Sequence, residues 1–164
     1  MGELSSTERE AVERASAEPM LAQVEAWAAV NSGTSNLAGL KAVAGMLAGE
    51  FAALPGELEL ADAAPVEAIE ADGSARQIEH GRNLHLSVRP DAPVQLLLTG
   101  HMDTVFAADH AFQFFHWIEP GKVPAGPGVA DMKGGIAVML AALKAIEASP
   151  ERGAIGYEVV INSD

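Results

Sequence analysis

Three segments in the second half of the chain constrain its fold more than anything else in it. Residues 94–100, VQLLLTG, form a near-continuous apolar run of strand length. Residues 134–149, GGIAVMLAALKAIEAS, are apolar on nearly every helical face, and residues 157–162, YEVVIN, make a second apolar run. Such runs are expected of strands buried on both faces, and an all-round apolar helix of one that covers a sheet. Strand, helix and strand in that order predict a crossover between neighbouring parallel strands and an α/β sandwich.

The remainder of the chain fits that frame. Leu21, Val24 and Trp27 recur at helical spacing and predict one or two helices over residues 5–30. The turn-rich stretch NSGTSN, residues 31–36, interrupts them, with Ser35 or Asn36 as the N-cap of the next helix. Leu40, Val43, Leu47, Phe51 and Leu54 share one helical stripe that Pro55–Gly56 ends. Residues 57–87 hold short strand-like pieces, LELA and NLHLSV, around a polar stretch that predicts turns and hairpins. The expected layout is one domain, residues 1–164, mainly helical over 1–56 and sheet with site-bearing loops over 57–164. Its length of 164 residues and apolar share of 49% suffice for a sizeable core.

Composition removes several functions. With no cysteine, disulfides and thiolate metal sites are excluded, so any metal is held by His, Asp and Glu. A net charge of −13 with ten scattered Lys and Arg argues against a nucleic-acid surface. No signal-like leader and no apolar run of membrane-spanning length is visible, and a cytoplasmic protein without membrane contact is the expectation.

Chemistry concentrates where the first apolar run ends, in LLLTGHMDTVF. Ligands of parallel α/β sheets bind at the carboxyl ends of strands, where His101 stands. Asp103, two residues on, is near enough to accept the second ring N–H of His101 and fix its tautomer. A second feature, AGPGVADMKGGIAVM, presents Asp131 from a glycine-rich loop just before a helix. Each has a plain structural alternative, in which Asp103 caps a turn and Asp131 is a helix N-cap. A nucleotide site is not indicated, because the loop lacks the GK[ST] of a phosphate loop and the third glycine of a dinucleotide fingerprint. Together, a strand-end His with an Asp partner and a further Asp some thirty residues on suit a metal held without cysteine.

These residues carry a resemblance. LLLTGHMDTVF, then GPGVADMKGGIAVMLAALKAIE, then YEVVINSD, is similar in order and spacing to the dinuclear zinc peptidase and deacylase family, which includes glutamate carboxypeptidase, acetylornithine deacetylase, succinyl-diaminopimelate desuccinylase and aminoacylase. It most resembles the glutamate carboxypeptidase-like branch. NSGTSNLAGL also resembles that branch near its N-terminus. The resemblance implies a three-layer α/β/α sandwich of the zinc exopeptidase type, here incomplete. It implies that His101 and Asp131 are metal ligands, with Asp131 bridging two zinc ions, that Asp103 is the carboxylate orienting His101, and that a cis peptide joins Asp131 to Met132. In the family a pair of glutamates, a base and a ligand, comes directly after the strand that here ends at Asp164.

The sequence is therefore expected to be an N-terminal fragment, inactive alone, of an enzyme hydrolysing an amide next to a free carboxylate. The implied partners are a small peptide or N-acyl amino acid and, through an absent lid domain, a second copy of the parent. The alternatives are an N-acyl amino acid deacylase of the same family and a non-catalytic fragment without metal chemistry. His80 and His85 are expected to be exposed or on an edge strand. His110 and His116, among Phe112, Phe114, Phe115 and Trp117, suggest a core-facing strand over the site. Lys133 with Gly134 and Gly135 suggests close passage of a helix start beside the sheet, and residues 157–162 and the apolar helix are expected to leave apolar surface uncovered.

Overall fold

The structure is a computed structural model and describes residues 3–164. Ser5 opens α1 (Ser6–Ser16) with a reciprocal pair: its hydroxyl accepts from the Glu8 amide and its own amide donates to the Glu8 carboxylate. Next come α2 (Met20–Ala28) and α3 (Leu37–Phe51), the latter capped by Asn36, whose side-chain oxygen accepts from Gly39 N–H at 3.1 Å. The stripe predicted for α3 is its buried face: Leu40, Val43, Leu47 and Phe51 are fully enclosed, and Leu54 closes its end.

Strands β1 (Glu57–Asp62), β4 (Arg82–Val88), β8 (Ile155–Asn162) and β5 (Val94–His101) form the main sheet in the order β1-β4-β8-β5. The first two pairings are antiparallel and β8–β5 is parallel. Two separate hairpins, β2 (Val66–Ile69) with β3 (Ala75–Ile78) and β6 (His116–Glu119) with β7 (Val123–Ala125), complete the strands. Helix α4 (Gly134–Glu147) joins β5 to β8, the crossover expected from the sequence.

Register explains the core. Leu84, Leu86 and Val88 of β4 stand opposite Ile161, Val159 and Tyr157 of β8, and all six are buried. Val24 and Trp27 of α2, the stripe of α3, and Ile136, Ala137, Leu140 and Leu143 of α4 close over them in one apolar cluster. A mixed α/β sheet with helices packed on it is thus the fold. Residues of the other parity, such as Glu158 and Leu97, point to the opposite face and are exposed.

Two expectations need correction. Strand β5 is not buried on both faces: among the described residues it is the sheet's edge, pairs with β8 alone, and leaves Leu97 68% exposed. An apolar run reports what its side chains favour, not which neighbours supply the cover. Uncovered apolar surface therefore lies on β5 and at Val138 of α4, while β8, expected to share it, is central. The aromatic segment 112–117 does not face the core: β6 lies in the small hairpin and Phe114 is 77% exposed. No helix among the described residues is long and apolar enough to cross a membrane.

Candidate metal centre

His101 is the last residue of β5, so the sheet fixes its backbone while its ring leaves the ladder. Nδ1 of the ring lies 2.9 Å from Asp103 Oδ1 and Nε2 lies 3.1 Å from Asp131 Oδ1. The imidazole is held between the two carboxylates singled out in the sequence. Neither carboxylate has the capping role that was its alternative. Asp103 takes the His101 ring N–H and the Thr34 hydroxyl, the latter at 2.5 Å. The N-cap of α4 is Lys133, and Asp131, its side chain 86% exposed, faces His101 across the opening.

Local packing explains how Asp131 arrives there. Gly100 has no Cβ, and one placed there would lie 3.0 Å from Met132 Cε, so Met132 packs directly over the strand end. The His101 amide points at Met132 Sδ at 3.4 Å. The peptide between Asp131 and Met132 is cis, as the family resemblance implied. Lys133 turns inward and is 1% exposed; its ammonium donates to the Trp27 and Val30 carbonyls at 2.9 and 3.1 Å, tying the loop to the end of α2. Burial pushes its pKa down to about 8. The close passage expected of Gly134 is made against the loop, not the sheet: a Cβ there would lie 2.5 Å from the Val129 carbonyl oxygen.

On the other side, residues 31–34 clasp the segment after β5. Ser32 donates its hydroxyl to the Met102 carbonyl at 2.8 Å, Thr104 N–H donates to Ser32 O at 2.8 Å, and Thr34 N–H donates to Thr104 O at 3.2 Å. Thr34 is the site residue that sequence reasoning missed. Its one signal is the NSGTSN stretch, whose composition points to a helix start and nothing more.

Electrostatics reflect this packing. Burial alone would lower the His101 pKa, but its hydrogen bonds to Asp131 and Asp103 outweigh burial and raise it. The remaining histidines lie elsewhere. His85 sits between Glu59 and Glu158, 3.6 Å from each, and is partly exposed as expected. His80 is not exposed: its side chain is 13% accessible and its Nδ1 meets Asp164 at 2.5 Å. His110 accepts from Phe112 N–H, and His116 lies on the exposed hairpin.

The donor set suits zinc in chemistry and spacing. Two donors on one tetrahedral zinc, with bonds of about 2.0–2.1 Å, stand roughly 3.3 Å apart, close to the Nε2–Oδ1 separation of 3.1 Å. His101 has its second nitrogen fixed by a carboxylate, the usual support of a metal-binding imidazole. Among the described residues no group of three or more His, Asp or Glu is placed to hold an ion, so the site offers two ligands and an orienting carboxylate. A cavity of about 400 Å³ opens beside them.

The fold is similar to that of solved zinc exopeptidases. Residues 97–164, which hold His101, Asp103 and Asp131, match the model described as peptidase family M20/M25/M40, and the resemblance to a zinc peptidase family carried by the sequence motifs is borne out at that level. No curated protein sequence matches the chain. Among solved structures, the dipeptidase Dug1p of Saccharomyces cerevisiae superposes with a TM-score of 0.71 at 13% identity, over 96% of this chain and 34% of its own. Human carnosine dipeptidase 1 gives 0.67 at 13% identity, over 99% and 35%. A Zn-dependent exopeptidase from Parabacteroides distasonis gives 0.56 at 21%, over 87% and 44%. The chain spans about a third of the length of the two dipeptidases.

Proposed function

We propose that this chain supplies the first metal-ligand pair of a zinc-dependent hydrolase that cleaves an amide next to a free carboxylate, a carboxypeptidase of the glutamate carboxypeptidase type. The observation that carries this reading is His101 held between Asp103 and Asp131 at a strand end, inside the segment that matches a peptidase family. His101 Nε2 and Asp131 would hold the ion, with Asp131's second oxygen free for another. Bound zinc supplies Lewis acidity toward the amide carbonyl and the attacking water.

The chain's own residues do the rest of what it contributes. Asp103 keeps the proton on Nδ1, so that Nε2 presents its lone pair. Thr34 holds Asp103 in place. Met132 and Lys133 set the direction from which Asp131 approaches. Asp103 and Asp131 are the only carboxylates lining the cavity among the described residues, and both are engaged with His101, which leaves no carboxylate there to take the water's proton. Residues 1–164 by themselves are therefore proposed to bind zinc without hydrolysing amides.

The test measures both properties on the same protein: zinc binding by calorimetry, and amino acid release from peptides ending in glutamate. One bound zinc, lost in His101→Ala and in Asp131→Ala, with no release, is expected. Zinc binding that both substitutions leave intact would overturn the metal assignment, and zinc-dependent release would overturn the inactivity.

A further inference from the structure

A second cavity, of about 410 Å³, opens between the start of α3 and the base of the β2–β3 hairpin. Thr104 and Val105 line both it and the cavity of the metal centre, so this stretch is the partition between them. Arg76 and Glu79 bring a cation and an anion to it and are not paired with each other: Arg76 binds Glu70 through Nε and, among the described residues, keeps both terminal nitrogens free. Two polar atoms of its lining are buried without a partner among the described residues, Oγ1 of Thr104, a residue 4% exposed, and Nε2 of His80. Nδ1 of His80 meets the Asp164 carboxylate at 2.5 Å, which places the ring proton there and leaves Nε2 with a lone pair to offer.

These groups sort by place. Glu79 and His80 also line an adjoining cavity of about 270 Å³, whereas Arg76, Ser35 and Thr104 do not. Acceptors thus stand at the end where the two cavities meet, and donors at the other. A purely anionic ligand would meet Glu79 in a chain of net charge −13, and a purely cationic one would meet Arg76. A ligand with both charges side by side suits the two ends together: its carboxylate accepts from the Arg76 guanidinium and from the Ser35 and Thr104 hydroxyls, and its ammonium donates to Glu79 and to Nε2 of His80. The same contacts give the two buried orphan atoms the partners that buried polar groups ordinarily have. We infer that this cavity is a binding site for a small zwitterion, a free α-amino acid. The inference rests on the cavity alone and makes no use of the hydrolase reading.

The test is a nuclear magnetic resonance titration of the whole chain with three probes of nearly equal size: L-alanine, which carries both charges, L-alaninamide, which lacks the carboxylate, and N-acetyl-L-alanine, which lacks the ammonium. Backbone amide shifts at Ser35, Arg76, Glu79, His80 and Thr104 with L-alanine, and an affinity roughly three- to tenfold above either analogue, are expected. Arg76→Gln should remove the preference over L-alaninamide, and Glu79→Gln the preference over N-acetyl-L-alanine. Both positions are exposed on the hairpin side, so neither substitution disturbs the core. Thr104→Val keeps the side chain's shape, removes the orphan hydroxyl, and should weaken L-alanine about two- to tenfold.

His101→Ala, which removes a proposed metal ligand and leaves this cavity's lining untouched, should keep the L-alanine shifts. Their loss in that variant would assign the amino acid to the metal centre and overturn the inference. Equal affinity for the three probes, an absence of shifts at Arg76, Glu79 and His80, or a preference that survives both Arg76→Gln and Glu79→Gln would overturn it as well.

Discussion

Replacing Gly33 with alanine, by adding one methyl group, should loosen a site whose ligands it never touches. The new Cβ would lie 2.3 Å from the Phe106 carbonyl oxygen and 3.1 Å from its carbon, both backbone atoms that no rotamer change can move. Relief requires residues 31–34 and 102–106 to part by something near an ångström. Between them run the Ser32–Met102, Thr104–Ser32, Thr34–Thr104 and Thr34–Asp103 hydrogen bonds. At about 0.5–1.5 kcal/mol net for each bond lost, and with two or three lost, the substitution should cost about 1–4.5 kcal/mol. Gly49, exposed in α3 with nothing within 4 Å of its added Cβ, is the control. There the same change should stabilise by about 0.5–1 kcal/mol, since alanine favours helix over glycine. Urea unfolding measures both, and calorimetry should find zinc affinity reduced about tenfold or more in Gly33→Ala as Asp103 loses Thr34. Equal stability of the two variants, or unchanged zinc affinity in Gly33→Ala, would refute the reasoning.

Three other perturbations test separate parts of the structure. Asp103→Asn removes the carboxylate that holds Nδ1–H and should weaken zinc binding about 10–100-fold; wild-type affinity would show that His101 orients itself. Glu147, nearly buried, accepts from both guanidinium arms of Arg89 and from the Tyr157 hydroxyl, so Glu147→Gln should cost about 2–3 kcal/mol at neutral pH. Burial alone would raise the Glu147 pKa, but hydrogen bonds from Arg89 and Tyr157 outweigh it and hold it below the ordinary carboxylate value. The contribution is thus fully present above about pH 4.3 and is lost as pH falls through the lower folded value. Urea midpoints measured from about pH 7 to pH 3 should therefore drop less steeply in Glu147→Gln than in wild type, and parallel curves would contradict this. Leu97→Lys places a charge on the bare edge strand and should suppress concentration-dependent light scattering; undiminished scattering would place self-association elsewhere.

What the sequence disclosed depended on whether the deciding contacts were local. The α3 stripe and the β5-α4-β8 crossover were legible because burial alternates with the period of each element, and Leu40 or Val159 is apolar for the place it fills. The edge position of β5 was not, because the same apolar run serves an edge strand and a central one. His101, Asp103 and Asp131 were legible as a set through spacing and motif order, and the structure brings all three together. Thr34 reaches Asp103 across 69 residues through a loop whose composition announces only a turn. Of the aromatic residues near 112–117, Phe112 turns to the cavity and Phe114 to solvent, a choice made by the loop's path and not by any local pattern. His80, expected at the surface, is drawn in by Asp164 from the far end of the chain.

The most direct test of the central claim, that His101 and Asp131 form a metal-ligand pair oriented by Asp103, is the nitrogen-15 spectrum of the His101 imidazole during a zinc titration, assigned by comparison with His101→Ala. The account predicts that Nε2 moves to the position of a metal-bound nitrogen while Nδ1 keeps its proton, and that Asp131→Ala abolishes the movement. A His101 ring indifferent to saturating zinc, or metal on Nδ1 with the Asp103 bond broken, would contradict it.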